Sequence, residues 1–341
     1  MIIVMEPNAT DETIQRVIDS LDDRGYGHHI SHGVERTLIG AIGAPEGEKQ
    51  RAADQLVVLE GVERVVPILR PYKLVSREHQ EKTSVVNIGD VPFGQGNVGI
   101  IAGPCGVENE EQIMQAAEYV KKAGACCLRA GAFKPRTSPY DFQGLGEEGL
   151  KLLKQASEAT GLPTVTEARD TSHIPLVCEY ADALQIGARN MQNYDLLRAV
   201  GETQIPVVLK RGFANSIEEW LKAAEYIASG GNLHILLCER GIRTFETATR
   251  FTLDLAGMAK AKQDTHLPII VDPSHSTGEH SLVAPMTLAG LAAGADGAII
   301  EVHPHPDRAL SDGPQQLTPK NFERLMQQVR NLADALGLNL Q

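Results

Sequence analysis

A unit made of an apolar strand and a helical segment recurs eight times from residue 98 onward, and this repeat constrains the fold most strongly. The strand segments are almost continuously apolar, which is typical of parallel strands buried on both faces. The segments between them have helical spacing and often end at glycine. The predicted strands are VGIIAGP (98–104), CCLRAGAF (126–133), PTVTEA (163–168), ALQIGA (183–188), PVVLKRG (206–212), HILLCER (234–240), PIIVDPS (268–274) and GAIIEVH (297–303). Eight such units favour a (β/α)8 TIM barrel, and a doubly wound open sheet is the alternative.

The first seventy residues have a different pattern, in which short strands and two amphipathic helices alternate in the order βαββαβ. This order predicts a small ferredoxin-like domain. Such domains often dimerise or bind effectors, although a purely structural appendage is an alternative. We therefore expect an α/β chain with a ferredoxin-like domain at 1–70, a charged linker at 71–84 and a barrel at 85–341, which begins with a short hairpin at 85–97.

Composition limits the classes of partner. A chain of 341 residues accommodates a barrel of about 250 residues and a small domain. Its net charge of -12 repels nucleic-acid backbones and anionic membranes, and an aromatic content of 4% provides little surface for stacking on bases. We expect no nucleic-acid partner and no membrane partner. The apolar run IIVM is too short for a signal peptide, and no apolar segment approaches the roughly 18 residues that span a bilayer.

The cysteines indicate a reducing compartment. Five cysteines, an odd number, are spread from Cys105 to Cys238 and do not form a disulfide framework. We therefore expect a cytoplasmic protein. Cys126, Cys127 and Cys178 are predicted to lie in the core, and the same prediction is made for Cys238.

The stretch LRAGAFKPRTSPY (128–140) has three cations, Arg129, Lys134 and Arg136, within eight positions. Glycine and two prolines stiffen the segment after the strand, so the cations would lie on a rigid loop. Planar guanidinium groups suit bidentate contacts with phosphate or carboxylate. The stretch predicts an anion-binding loop, and an ordinary solvated surface loop is the alternative.

Nearly every predicted strand is followed closely by a charged or ligand-type residue. In a barrel these ends converge at one mouth, where barrel active sites lie. The residues are Cys105, Arg129, Glu167, Arg189, Lys210, Arg240, His275 and Glu301.

One subset, completed by Asp312, combines thiol, imidazole and carboxylate groups, and consists of Cys105, His275, Glu301 and Asp312. Because a thiolate is a soft ligand, this set suits Zn, Mn, Fe or Co better than Mg or Ca. Taken singly, Cys105 fits a core position and His275 a hydrogen-bonded loop position.

The second subset is cationic and consists of Arg129, Lys134, Arg136, Arg189, Lys210 and Arg240. Six cations at one mouth require more than one anionic group, which indicates ligands with two phosphates, or with a phosphate and a carboxylate each. Solvated surface charges would not explain why the cations follow apolar strands. The sequence has no glycine-rich nucleotide fingerprint and no GxSxG elbow.

Several motifs in order resemble 3-deoxy-D-arabino-heptulosonate 7-phosphate (DAHP) synthases over the whole chain. They are AGPC (102–105), LRAGAFKPRTSPYDFQGLG (128–146), QIGARN (185–190), VLKRG (208–212), CERGIRTFE (238–246), VDPSHSTG (271–278) and IIEVHPHPDRALSDGPQQL (299–317). The chain is similar to the short-subunit branch with a ferredoxin-like regulatory domain. The resemblance implies a transferase that condenses phosphoenolpyruvate with D-erythrose 4-phosphate and water to give DAHP and phosphate. That reaction is the first step of the shikimate pathway to chorismate and the aromatic amino acids. It also implies a homotetramer.

The resemblance also implies roles for individual residues. Cys105, His275, Glu301 and Asp312 match the ligands of one divalent metal ion. Arg129, Lys134, Arg189, Lys210 and Arg240 match the phosphoenolpyruvate contacts, and Pro135, Arg136 and Thr137 match the erythrose 4-phosphate contacts. Lys134 is the candidate proton donor to the developing alkoxide, whereas either Glu167 or the metal, with Cys105 and His275 among its ligands, would orient the attacking water.

The N-terminal segments HHIS (28–31) and ERTLIG (35–40) resemble the module through which tyrosine or phenylalanine inhibits related enzymes, and His29 and Ser31 are the candidate effector contacts. Three alternative functions remain open. One is 3-deoxy-D-manno-octulosonate 8-phosphate synthase, which has KANRS-type residues where this chain has KPRTS (134–138). The others are a non-catalytic amino-acid sensor on the same scaffold, and a metal-dependent aldolase that releases no phosphate.

Overall fold

The computed structural model describes residues 1–33, 36–45, 48–66, 72–134 and 140–341. The chain divides into two compact units, Met1–Pro71 and Tyr72–Gln341, and each is described by itself.

The first unit is a four-stranded antiparallel sheet with two helices. Its elements are β1 (Ile2–Met5), α1 (Asp11–Asp22), β2 (Gly27–His32), β3 (Thr37–Ile42), α2 (Lys49–Leu56) and β4 (Val62–Val66). The strand order β2-β3-β1-β4 is that of the ferredoxin-like fold, as predicted. Helix α1 begins at Asp11 because the Thr10 side chain accepts the N–H of Thr13. Its apolar stripe, from Ile14 to Leu21, is buried against the sheet residues Ile3 and Ile39.

The second unit is a closed barrel. Its eight parallel strands are β7 (Asn97–Gly103), β8 (Cys127–Arg129), β9 (Thr164–Ala168), β10 (Ala183–Ile186), β11 (Val207–Lys210), β12 (Ile235–Glu239), β13 (Ile269–Val271) and β14 (Gly297–Glu301). Each strand pairs with the next, and β14 pairs with β7, so the sheet closes on itself. This closure confirms the barrel over the open sheet. A hairpin of β5 (Val86–Ile88) and β6 (Val91–Phe93) precedes the barrel, and the short β15 (Asn339–Leu340) pairs with the start of β7.

Helices follow the strands in sequence. They are α3 (Glu110–Ala123), α4 (Glu147–Thr160), α5 (Ile174–Tyr180), α6 (Tyr194–Gly201), α7 (Ile217–Ser229), α8 (Leu255–Asp264), α9 (Pro273–Thr277), α10 (His280–Ala292) and α11 (Pro319–Leu336). Side chains cap several of them: Ser216 and Glu219 form a capping box on α7, and Asp254 caps α8. Within the described ranges, no helix is both long and apolar enough to cross a membrane.

Apolar side chains fill the barrel interior. Ile101, Val165, Val208, Leu236 and Ile270, from five different strands, belong to one buried cluster. The hairpin contributes Val86, Ile88 and Phe93 to the same cluster. The lumen is therefore a packed core, and polar chemistry is left to the carboxyl ends of the strands.

Three of the four cysteines predicted for the core are buried, namely Cys126, Cys127 and Cys238. The prediction for Cys178 is wrong, because this residue is exposed. Helix α5 has only seven residues and buries Ile174 and Val177, so the next position faces outward. All five cysteines are free.

Several predicted boundaries differ in the structure. Strand β13 ends at Val271 rather than at residue 274, because Pro273 already begins helix α9. Strand β8 ends at Arg129 rather than at residue 133. Beyond it, Gly131 makes only an isolated parallel bridge to Gly106, and its N–H donates to the Cys105 carbonyl. Part of the segment predicted as a linker packs on the barrel. Tyr72 and Val75 belong to the buried cluster formed by the barrel strands and helices, and the Thr265 hydroxyl donates to the Val75 carbonyl.

Candidate active site

A polar cavity lies at the carboxyl ends of the barrel strands. The residues that line it come from positions 129 to 312 of the sequence. Those predicted from the sequence are Arg129, Lys134, Glu167, Arg189, Lys210, Arg240, His275 and Asp312. The strand-end pattern therefore indicated which side chains would meet, because parallel strands bring their ends to one mouth.

Cys105, Glu301 and Asp312 form a cluster, which we call the metal-type cluster, with ligand atoms within 4.8 Å of one another. The Cys105 Sγ lies 3.2 Å from Asp312 Oδ2. His275 adjoins the cluster, with its Nε2 3.4 Å from Glu301 Oε1. The structure thus brings together all four side chains predicted as metal ligands.

The electrostatics of this cluster fit a cation. Burial and the nearby Glu301 carboxylate raise the pKa of the Cys105 thiol to about 12. Burial also opposes the charge of Glu301, yet His275 and Arg129 outweigh it and lower the pKa of Glu301 to about 2. A thiol beside two carboxylates needs added positive charge to become a thiolate. The donor set therefore fits a divalent ion of the Zn, Mn, Fe or Co class.

The Glu301 carboxylate is held on both oxygens. Oε1 accepts a hydrogen bond from Arg129 Nη1 at 2.8 Å, and Oε2 accepts one from Gln315 Nε2 at 2.6 Å. Arg129 Nη1 also donates to the Pro104 carbonyl at 2.8 Å. The carboxylate is therefore oriented by side chains from β8 and from the loop after β14.

Lys134 lies directly beside the thiol. Its Nζ is 2.8 Å from Cys105 Sγ and 2.9 Å from the Cys105 carbonyl oxygen, and the side chain is buried. The ammonium group is therefore fixed at the inner edge of the cavity, close to the metal-type cluster.

Lys210 and His275 share one carboxylate, which belongs to Asp272. Asp272 Oδ2 lies 2.5 Å from Lys210 Nζ and 2.8 Å from His275 Nδ1. Burial opposes ionisation of Asp272, but His275 and Lys210 hold its pKa well below the usual range. The imidazole therefore lies in ion-pair contact with this carboxylate. Asp272 was not predicted as a site residue, although it follows strand β13 directly and so fits the strand-end pattern.

The Glu167 carboxylate fits in its position only because residue 187 is a glycine. A Cβ atom at Gly187 would lie 2.2 Å from Glu167 Oε1, so a side chain there would displace the carboxylate. Gln185 Nε2 donates to the other oxygen, Oε2, at 3.2 Å. The strand β10 and its following loop thus position a carboxylate that belongs to β9.

Two consecutive glutamines were missed by the sequence analysis. Gln315 binds Glu301, as described above, and its Oε1 accepts a hydrogen bond from Arg250 Nη1 at 3.0 Å. Gln316 Oε1 accepts the Cys105 N–H at 3.0 Å, and its Nε2 donates to the Ser311 carbonyl at 2.8 Å. Their position three and four residues after Asp312 was the available signal.

Asp312 has a left-handed backbone, with φ of 53°. Aspartate tolerates this region better than most residues, but the conformation still costs energy unless the surroundings impose it. The hydrogen bonds of the two glutamines in the same loop provide such a constraint.

The geometry described so far includes neither the predicted erythrose 4-phosphate contacts nor the predicted effector contacts. Pro135, Arg136 and Thr137 fall outside the described residues. His29 and Ser31 belong to β2 of the first unit, where they pair with Gly40 and Leu38 of β3. They alternate with Ile30, which packs on the core of that unit, so they lie on the sheet face away from the helices.

Comparisons with known proteins identify the family. A model described as the DAHP synthetase I family matches residues 75–337, and one described as the DAHP synthase ferredoxin-like domain matches residues 1–70. The chain belongs to the DAHP synthase family. It is 51% identical over 340 residues to a phospho-2-dehydro-3-deoxyheptonate aldolase of Thermotoga maritima, with 100% of both chains covered. The predicted family and enzyme class are therefore confirmed, and with them the place at the start of the shikimate pathway.

Solved structures of this DAHP synthase family share the architecture. The crystal structure of the Thermotoga maritima enzyme matches with a TM-score of 0.87 at 49% identity, and covers 100% of this chain and 98% of that chain. A truncated form of the Thermotoga maritima DAHP synthase matches with a TM-score of 0.75 at 49% identity, and covers 80% of this chain and 100% of that chain. The fold prediction, a TIM barrel preceded by a ferredoxin-like domain, is confirmed.

More distant relatives are enzymes of the alternative class. A 2-dehydro-3-deoxyphosphooctonate aldolase of Syntrophotalea carbinolica is 32% identical over 263 residues, which cover 72% of this chain and 94% of the relative. Compared with this partial match, the full-length match at higher identity favours DAHP synthase.

Proposed function

We propose that this DAHP synthase is a metal-dependent condensing enzyme that joins phosphoenolpyruvate to D-erythrose 4-phosphate and releases inorganic phosphate. The observation that carries the proposal is the meeting of a thiol–carboxylate–imidazole cluster with six cations at one barrel mouth, namely the five predicted ones and Arg250. One set of groups suits a divalent ion, and the other suits anionic substrates.

Cys105, His275, Glu301 and Asp312 are the proposed metal ligands. A divalent ion bound there would supply Lewis-acid polarisation of a substrate oxygen or of a water molecule. Arg129, Gln315 and Asp272 orient the ligands. The physiological ion belongs to the Mn, Fe, Co or Zn class.

Arg129, Lys134, Arg189, Lys210 and Arg240 are the proposed phosphoenolpyruvate contacts. The substrate has a phosphate and a carboxylate, and the five cations exceed what the buried carboxylates of the site neutralise. Arg129 pairs with Glu301 and Lys210 pairs with Asp272. Within the described ranges, Arg189 and Arg240 have no carboxylate oxygen within 4.0 Å. A net positive surface therefore remains for the substrate.

In the proposed reaction, C3 of phosphoenolpyruvate attacks the aldehyde carbon of erythrose 4-phosphate and water adds at C2. Phosphate then leaves by cleavage of its C–O bond. Lys134 would donate the proton to the aldehyde oxygen, because its buried Nζ is fixed beside the metal-type cluster. Glu167 would orient the attacking water, since its carboxylate lines the cavity. Pro135, Arg136 and Thr137 remain the proposed erythrose 4-phosphate contacts, on the strength of the KPRT motif.

Feedback inhibition by tyrosine or phenylalanine is proposed for the first unit. His29 and Ser31 would contact the effector, and their shared sheet face supports this assignment. A homotetramer and a cytoplasmic location remain predictions.

Phosphate release tests the function directly. The purified protein is loaded with Mn²⁺ and supplied with phosphoenolpyruvate plus either erythrose 4-phosphate or arabinose 5-phosphate, with and without tyrosine or phenylalanine. We expect release with the four-carbon sugar, its loss on addition of a chelator, and suppression by one amino acid. Release only with the five-carbon sugar would support the octulosonate alternative. No release with either sugar would support a sensor.

A further inference from the structure

Two phenylalanines lie against the cationic side of the cavity. The rings of Phe213 and Phe251 stack with centroids 5.1 Å apart and an interplanar angle of 8°, and we call them the aromatic pair. Phe213 lines the cavity, and neither ring is fully buried. Phe213 is therefore part of the cavity wall, and Phe251 packs against it.

The aromatic pair holds the guanidinium group of Arg240. The Cζ atom of Arg240 lies 4.2 Å from the centroid of Phe251 and 4.9 Å from that of Phe213. Arg189 approaches the Phe213 ring at 5.5 Å. These distances are within the range of cation–π attraction.

Arg240 differs from Arg129, Lys134 and Lys210 in how its charge is stabilised, and among the described residues it shares the lack of a carboxylate partner with Arg189. Arg129 and Lys210 are each bonded to a buried carboxylate, and Lys134 is bonded to the thiol and carbonyl of Cys105. Arg240 is only 4% exposed, yet no carboxylate oxygen of the described residues lies within 4.0 Å of it. Its hydrogen bonds to the carbonyls of Gly241 and His275 are long, at 3.4 Å each.

A ring face and a carboxylate affect a guanidinium group differently. A carboxylate binds the N–H donors and cancels the charge, whereas a ring face attracts the cation and leaves the in-plane donors available. A guanidinium group stays protonated in proteins at neutral pH. The aromatic pair thus keeps a buried cation in place with its donors ready for an anion.

We propose that Phe213 and Phe251 are positioning residues that hold Arg240, and through Phe213 also Arg189, for the phosphate group of phosphoenolpyruvate. This inference rests on the proposed function, because it concerns the same substrate. The loops fix the aromatic pair through their backbones: the Phe251 N–H donates to the Ser276 carbonyl at 2.8 Å, and the Phe213 carbonyl accepts the Arg243 N–H at 2.7 Å.

Leucine substitutions test the proposal, because leucine retains apolar bulk but has no π face. In Phe251→Leu and Phe213→Leu we expect the KM for phosphoenolpyruvate to rise about 3- to 30-fold, while kcat and the KM for erythrose 4-phosphate change less. The inhibition constant of inorganic phosphate should rise in parallel. Phe251→Tyr and Phe213→Tyr should restore most of the affinity.

Phe93→Leu is the matched control, since Phe93 is fully buried in the cluster that fills the barrel interior and does not line the cavity. It should lower the melting temperature without changing the KM for phosphoenolpyruvate. If a leucine variant fails to fold, Phe251→Met or Phe213→Met replaces it.

Two outcomes would overturn the inference while the proposed function stands. One is an active parent enzyme whose leucine and methionine variants keep the parental KM. The other is tyrosine variants that lose as much affinity as the leucine variants. If the parent enzyme releases no phosphate, calorimetric titration of the parent and the leucine variants with inorganic phosphate decides the inference separately. Equal affinities would then count against it, and weaker binding by the variants would support it.

Discussion

At the scale of single residues, substitution of the buried Cys105 distinguishes a metal-binding role of its thiol from a structural one. Cys105→Ala should abolish binding of a divalent ion and leave the melting temperature of the metal-free protein within a few degrees, because the side chain lost is small. Calorimetric titration with Mn²⁺ or Zn²⁺ and a thermal melt measure both properties. Cys238→Ala, in the barrel core, is the control and should still bind metal. Global unfolding of the Cys105 variant would instead mark the residue as structural.

Gln315 provides a second test, because it contacts a proposed ligand rather than the ion. Gln315→Ala removes the hydrogen bond to Glu301 Oε2 and should weaken metal binding by about 10- to 100-fold. Competition with a coloured chelator gives the affinity. Gln328→Ala, on the exposed side of α11, should bind metal as the parent does. Equal affinities for the two variants would exclude a role for Gln315 at the cluster.

Substitution of Gly187 tests whether the position of the Glu167 carboxylate matters for activity. Because an added Cβ would lie 2.2 Å from the carboxylate, Gly187→Ala should shift Glu167 and lower kcat/KM by about 100-fold. Steady-state kinetics measure the loss, and circular dichroism checks the fold. In Gly27→Ala, where the nearest atom would be 3.7 Å away, activity should not change. Full activity of the Gly187 variant would show that the position of this carboxylate is unimportant.

At the scale of elements, the ends of β11 and β12 and the start of α8 are joined by buried charges. Arg211 Nη1 lies 2.9 Å from both Glu239 Oε2 and Asp254 Oδ2. Removing one member of such a buried network leaves a charge uncompensated. Arg211→Met should therefore destabilise the protein by about 3–5 kcal/mol.

Chemical denaturation measures that change in stability. Arg198→Met is the matched control, because the ion pair of Arg198 with Asp195 is exposed and contributes at most about 1 kcal/mol. If Arg211→Met were as stable as the control variant, the network would not hold these elements together.

A comparison of the barrel strands with the loops also shows how much of the site the sequence could predict. Apolar runs identified every barrel strand, and the residues after those runs identified Cys105, Arg129, Lys210 and Glu301, because parallel strands must end at one mouth. The loops were not predictable in the same way. Gln315, Phe213 and Phe251 act through contacts that depend on the path of the loop backbone, and periodicity contains no information about that path. The early end of β8 has the same origin, since Gly131 bonds to the loop after β7.

At the scale of the whole molecule, the two units have separate cores. The buried cluster around Ile3 and Leu21 shares no residue with the cluster that contains Tyr72 and Val75. A chain of residues 72–341 should therefore fold and retain phosphate release, but lose inhibition by tyrosine or phenylalanine. Activity assays of the short and full chains with each amino acid compare them. Retained inhibition in the short chain would place the effector site on the barrel.

Closure of the barrel also determines when the site can exist. The thiol of Cys105 follows the first barrel strand, whereas Glu301 ends the last one, and the two meet only where β14 pairs with β7. During synthesis on the ribosome, a chain with seven strands would already contain every described cation of the mouth but not the complete metal-type cluster. Under the proposed function, metal uptake would therefore be a late event in the maturation of the protein. A nascent or misfolded chain that has not closed its barrel would have no complete site at which to trap an ion.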